Sequence, residues 1–200
     1  MQESHLFTVD TYPATDIVQR PPGWCGNQRG TEFSRFVDRL VEYECHSLLF
    51  IGAGNGGNQW AIAHRFRQLG WESTMRVFDI RANLGLLMTF DLLAHQCPEC
   101  RIRLTLADSQ HLKPEDLGQH DAAFVDGDHG YPQTLHDVRI CDAVVKHFVG
   151  VHDISNLGGR ERMLPCGEAW QELKKGRRVE EFLTDWQMGI GILYKEEAKP

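Results

Sequence analysis

The chain has 200 residues, with 21 Lys and Arg against 28 Asp and Glu, and a formal net charge of −7. With 42% hydrophobic and 24% charged residues it falls among globular chains, long enough to bury a core without disulfides or metals. The acidic balance argues against a nucleic-acid binder, which needs a basic face, and no apolar run approaches the ~20 residues that span a bilayer.

MQESHLFTVD at the N-terminus carries two acids and no basic n-region. It is not a secretory signal, and the expected compartment is cytoplasmic. The six cysteines are then expected as free thiols. Cys97-Pro98-Glu99-Cys100 is a lone CxxC with no second pair to complete a zinc site, and reads as a loop ending a helix.

In chain order, residues 1–30 are rich in Pro and Gly and read as an arm or lid, leaving 31–200 as a single domain. Thr31–Glu44 places Phe33, Phe36, Val37, Leu40 and Val41 on one helical face, with Thr31 as its cap. Ser47–Ile51 is a short apolar run breaking into glycines, as a buried parallel strand does. Alternation continues with a helix at Asn58–Leu69, a strand at Met75–Ile80, a helix at Leu84–His95 and a strand at Arg101–Leu106. Ala122–Val125 is the fourth strand, Pro132–His147 a helix, Phe148–Ile154 the fifth strand and Glu168–Lys175 a helix. Glu181–Asp185 and Gly189–Tyr194 are two further strands joined by a short turn, hence antiparallel neighbours. The pattern predicts an α/β, doubly wound, mainly parallel seven-stranded sheet with a C-terminal antiparallel hairpin. Such sheets bind ligands beyond the carboxyl ends of their strands.

What stands at those ends is therefore informative. Gly52-Ala53-Gly54-Asn55-Gly56-Gly57 follows the first strand and lets the backbone approach a nucleotide-like ligand before the helix begins. Asp79 ends the second strand, where an acid can accept from ribose hydroxyls, and Asp108-Ser109 follow the third, where a carboxylate can accept from an adenine amino group. Asp126-Gly127-Asp128-His129 follows the fourth and His152-Asp153 ends the fifth. Three carboxylates and two imidazoles in one cleft call for a cation or protons between them, and hard oxygen ligands with an imidazole suit Mg²⁺ or Mn²⁺.

Over about residues 45–195 the pattern resembles the class I S-adenosylmethionine-dependent methyltransferases, with a Rossmann-like sheet. More narrowly it is similar to the small metal-dependent O-methyltransferases of sugars and macrolides and the cephalosporin-hydroxylase-like proteins. LLFIGAGNGGNQWAIA resembles that family's glycine-rich motif, FVDGDHGYPQTLHDV its Asp-Gly-Asp-His motif and VGVHDIS its strand ending in His-Asp. GEAWQELKKG and MGIGILYK are similar to its Trp-bearing helix and last strand.

The resemblance implies that Gly52, Gly54 and Gly56 face the methionine part of S-adenosylmethionine, Asp79 the ribose and Asp108 the adenine, with Asn55, Ser109 and Asp126 completing the cofactor set. It implies a divalent metal, expected to be Mg²⁺, on Asp126 and Asp153. His152 is a further candidate ligand, standing where relatives often have Asp or Glu. His129 or Asp128 is the expected base, deprotonating a metal-bound hydroxyl of a small-molecule acceptor such as a sugar. The same resemblance leaves the oligomeric state open, many relatives pairing through N-terminal helices, and no membrane role is expected.

Three other readings compete with this one. An NAD-dependent oxidoreductase explains GxGxxG and Asp79 but lacks a Tyr-Lys pair and leaves DGDH and HD unused. A non-catalytic binding protein would be expected to have lost glycines or acids from this set. A nucleic-acid methyltransferase of the Asp-Pro-Pro-aromatic kind lacks that motif here, and Arg160-Glu161-Arg162 and Lys174–Arg178 are small charge clusters. The acceptor pocket is expected to be shaped by the arm at Thr11–Gly30 and the stretch Asn156–Gly167.

Overall fold

The computed structural model describes residues 30–155, 164–183 and 189–199. The arm over 1–29, Cys25 and most of the expected pocket wall at Asn156–Gly167 lie outside the described residues. Helix α1 spans Gly30–Glu42, followed by β1 (Ser47–Ile51), α2 (Gly57–Gln68), β2 (Ser73–Asp79), α3 (Leu84–Gln96) and β3 (Cys100–Leu106). A 3₁₀ turn at Ser109–His111 and the short α4 (Pro114–Leu117) lead into β4 (His120–Val125), α5 (Tyr131–Asp142) and β5 (Val145–His152). The chain closes with α6 (Pro165–Leu173), β6 (Val179–Phe182) and β7 (Ile190–Tyr194).

The strands form one sheet in the order β3-β2-β1-β4-β5-β7-β6. Pairing is parallel from β3 to β5, and β7 runs antiparallel to both β5 and β6. Successive side chains of the central strands enter opposite layers, as the period of two requires. Leu48, Phe50, Ala122, Phe124 and Phe148 join α1, α2 and α3 in one apolar cluster. Leu49, Ile51, Ala123, Val125, Val149 and Val151 join α4, α5 and α6 in the other. Both sheet faces are thus covered, which is why these strands read as continuous apolar runs. The order in which the strands are wound reverses between the parallel neighbours β1 and β4, and the crevice opens at that switch point.

Several boundaries differ from the sequence reading. The helix expected over Pro132–His147 ends at Asp142, and β5 already begins at Val145. Val144 and Val145 are β-branched, and Val145 pairs with His120, so strand pairing takes residues that helical periodicity had claimed. α6 starts three residues early, with Pro165 in its first turn. β6 pairs Val179 with Leu193 and Phe182 with Ile190, so the expected strand at Glu181–Asp185 is shifted toward the N-terminus. α1 begins at Gly30, ahead of the expected cap Thr31.

The five described cysteines are free and buried. Cys97 ends α3 and its carbonyl accepts from Cys100 N, while burial pushes the Cys100 thiol up to about 11. CxxC is therefore a buried turn of protonated thiols. Among the described residues no helix is long and apolar enough to cross a membrane.

Candidate active site

The glycine loop is shaped by close backbone approach. Gly52 has φ +87, its N–H donates to Phe78 O at 2.8 Å, and a Cβ there would lie 2.0 Å from the carbonyl oxygen of Asp126. Only glycine lets the ends of β1 and β4 approach this closely. Gly54 lines the cleft, and its carbonyl accepts from Asn83 Nδ2 at 2.9 Å. Asn55 and Gly56 turn away toward α3, where the Asn55 carbonyl accepts from Thr89 Oγ1 at 2.8 Å and Gly56 caps α2. These two build the loop rather than the cleft wall.

Asp79 fixes the loop from the neighbouring strand. One carboxylate oxygen accepts from Ala53 N at 2.9 Å and the other from Arg81 N at 3.0 Å. Asp108 caps the 3₁₀ turn through Gln110 N at 3.0 Å. Each carboxylate oxygen keeps a further lone pair for a ligand. Asp79, Asp108, Ser109 and Asp126 all line one cleft of about 400 Å³ beyond the strand ends. Its size and its array of acceptors suit a ligand rich in hydroxyl and amino donors.

At the far end of the cleft the acids and histidines converge. His152 Nδ1 lies 2.9 Å from Asp126 Oδ1 and 3.1 Å from Asp153 Oδ1. His129 Nδ1 lies 3.2 Å from Asp153 Oδ2, and its Nε2 lies 3.7 Å from Asp126 Oδ1. Asp153 is fully buried at φ +60, a left-handed backbone that Asp tolerates better than most residues. Although burial opposes it, the Asp126 carboxylate, with Asp153 and Glu32 adding to it, raises the pKa of His152 to about 9. His129 is raised too, chiefly by Asp126 with Asp153 assisting. Asp126 in turn stays well below the usual carboxylate range, because the two imidazoles outweigh its burial. The cluster is thus a paired set of two carboxylates and two imidazoles.

Asp128 stands apart from that cluster. It is exposed, its Oδ1 accepts from Gly130 N at 2.6 Å, and it lines the cleft. Of the two base candidates, only His129 reaches the buried acids.

The divalent metal expected on Asp126, Asp153 and His152 does not fit these side chains as placed. Nδ1 of His152 donates to Asp126, whereas a ligating nitrogen must present its lone pair, and the two oxygens of the buried Asp153 carboxylate are left without a hydrogen bond. Among the described residues, no group of three His, Cys, Asp or Glu side chains is spaced to hold a metal ion.

Some site residues were not singled out from the sequence. Glu32 in α1 is 2% exposed and raises His152. Asn83 caps α3 and lines the cleft, and Gln133 lines it from α5. An Asn ahead of an apolar helix was a readable cap signal, whereas nothing in the local pattern marks Glu32 or Gln133.

No protein-family profile and no curated protein matches the chain. Solved structures do. A Staphylococcus aureus protein named as a caffeoyl-CoA O-methyltransferase superposes with a TM-score of 0.62 at 16% identity, covering 82% of each chain. An O-methyltransferase from Bacillus cereus in complex with S-adenosylhomocysteine (SAH) gives 0.56 at 14% identity, over 87% of this chain and 83% of that one. CalS11, a TDP-rhamnose 3′-O-methyltransferase of calicheamicin biosynthesis, gives 0.57 at 11% identity, over 82% and 77%. The chain has the fold of the class I O-methyltransferases.

Proposed function

We propose that the chain is an S-adenosylmethionine-dependent methyltransferase acting on a hydroxyl of a small polyhydroxylated acceptor. The observation that carries this reading is His129, half-exposed at the cleft edge with Nδ1 held 3.2 Å from the buried Asp153. Its Nε2, at 3.7 Å from Asp126, is too distant for a hydrogen bond and is left for an acceptor proton.

The roles follow from placement. Asp79 and Asp108 offer acceptors to the ribose and adenine, and Gly52 and Gly54 admit the rest of the donor along the loop. S-adenosylmethionine supplies an electrophilic methyl on a sulfonium and leaves as S-adenosylhomocysteine. The acceptor hydroxyl gives its proton to His129 Nε2 as its oxygen forms the new C–O bond and the C–S bond breaks. Asp153 stabilises the resulting imidazolium. His152, cationic at neutral pH with its pKa near 9, holds Asp126 and Asp153 in place. Aligning donor and acceptor supplies the remainder of the acceleration. No step is routed through a metal, since among the described residues no group of side chains is spaced to hold one.

Three measurements test this. SAH should raise the melting temperature and NAD⁺ should not; stabilisation by NAD⁺ alone would overturn the donor. His129→Asn should lower turnover on polyhydroxylated acceptors by about 10²-fold or more while SAH binding is kept; undiminished transfer removes His129 as base. Transfer should persist in excess chelator, and loss that Mg²⁺ restores would reinstate the metal.

A further inference from the structure

Beneath the end of the cleft bounded by Asp108 and Ser109 lies a polar network that the proposed chemistry does not use. Gln133 and Asp137 sit one turn apart on α5, and Asp137 is 0% exposed. Gln133 Nε2 donates to Asp137 Oδ1 at 2.7 Å and to Ser109 Oγ at 2.9 Å. The Ser109 hydroxyl donates to Asp137 Oδ2 at 3.2 Å. Both hydrogens of the Gln133 amide are therefore directed inward.

Turning that amide over would bring its carbonyl oxygen against the Asp137 carboxylate, two acceptors at hydrogen-bond range with no proton between them. Asp137 thus sets which end of the amide faces inward. The carbonyl Oε1 is left for the cleft, whose wall Gln133 shares with Asp108, Ser109 and Gln110. A fixed acceptor beside a second acceptor, Asp108, matches a base edge that carries a donor. Adenine presents an amino group at C6, whereas hypoxanthine presents an oxygen there.

We propose that Gln133 reads the 6-amino group of the cofactor's adenine, with Asp137 as the positioning residue that locks its amide orientation. This rests on the S-adenosylmethionine reading above.

Calorimetric titration with two ligands, SAH and its 6-oxo analogue S-inosylhomocysteine, tests it without reference to turnover. The protein should bind SAH at least about tenfold more tightly, since a mispaired buried acceptor costs 1–3 kcal/mol. In Asp137→Asn, residue 137 can meet either end of the Gln133 amide. The amide can then turn, and the preference should fall toward one. In Gln133→Leu the preference should fall as well, through weaker SAH binding with the analogue little changed. A mere loss of packing would weaken both ligands equally, and discrimination due to Asp108 alone would survive in both variants; either pattern overturns the assignment. Should Asp137→Asn fail to fold, Gln133→Leu and the parent ratio decide it. If the parent binds neither ligand, the donor reading itself falls, and the assignment with it.

Discussion

Asp126, Asp153 and Asp137, all withdrawn from water at least in part, are handled in two ways. Asp126 and Asp153 face imidazoles, and the mutual attraction keeps Asp126 ionised despite its burial. Asp137 instead accepts hydrogen bonds from the neutral Ser109 and Gln133, and burial pushes its pKa up to about 6. The sign of the consequence follows from linkage. The folded state holds the Asp137 proton up to about pH 6, whereas the unfolded chain releases it near the ordinary value of about 4. The stability that this protonation contributes is complete below about pH 4 and is lost as pH rises through about 6. Burial of the charged form then opposes folding by about 3 kcal/mol at neutral pH. Denaturation midpoints of the parent and Asp137→Asn, compared from pH 4 to 7, should therefore diverge across that interval. Parallel curves would show that Asp137 titrates normally.

At the scale of elements, the strand ends were legible because a parallel strand buried on both faces leaves a continuous apolar run, and polar residues mark where it stops. Asp79, Asp108, Asp126 and Asp153 were found in this way, without any contact being visible. The interior of α5 was harder. Leu135, Val138 and Cys141 mark its inward side by period, but Gln133, Thr134 and Asp137 are buried with them. Polar residues on a helix read as its wet face, and only the third dimension shows Ser109 arriving from another loop to pair with them. The overrun into β5 has the same origin, since Val144 and Val145 suit either period and the pairing partner His120 lies 25 residues away along the chain. β5 also contains a dependence that no periodicity carries. A Cβ at Gly150 would lie 2.4 Å from Phe36 Cε2 and 2.8 Å from Phe124 Cδ2. The ring of Phe36 therefore reaches the sheet surface only because residue 150 has no side chain. Gly150→Ala should destabilise the protein by about 1–3 kcal/mol, as overpacking of a filled core does. Urea titration would show the lowered midpoint, and an unchanged one would mean that α1 can shift outward freely.

At the scale of the whole molecule, an open seven-stranded sheet has two edges, and each exposes backbone groups that another chain could pair with. The two edges are protected differently. β6 is four residues long, and its two glutamates are already engaged, Glu180 with Arg39 at 2.9 Å and Glu181 with Lys174 at 2.8 Å. β3 is longer, seven residues, and among the described residues pairs only with β2. Its Ile102 and Leu104 pack toward the core, while Arg101 and Arg103 alternate with them and are exposed. Leu106 at its end, Ile80 at the end of β2 and Leu84 at the start of α3 are all more than half exposed, so this flank is apolar as well as unpaired. Removing the two charges would leave a β-prone apolar run along an open edge, the usual sequence signature of aggregation. The double variant Arg101→Val with Arg103→Val should keep the parent circular dichroism at low concentration. Light scattering should then grow with concentration and time where the parent stays flat. Equal scattering from both proteins would mean that the arginines do not guard this edge.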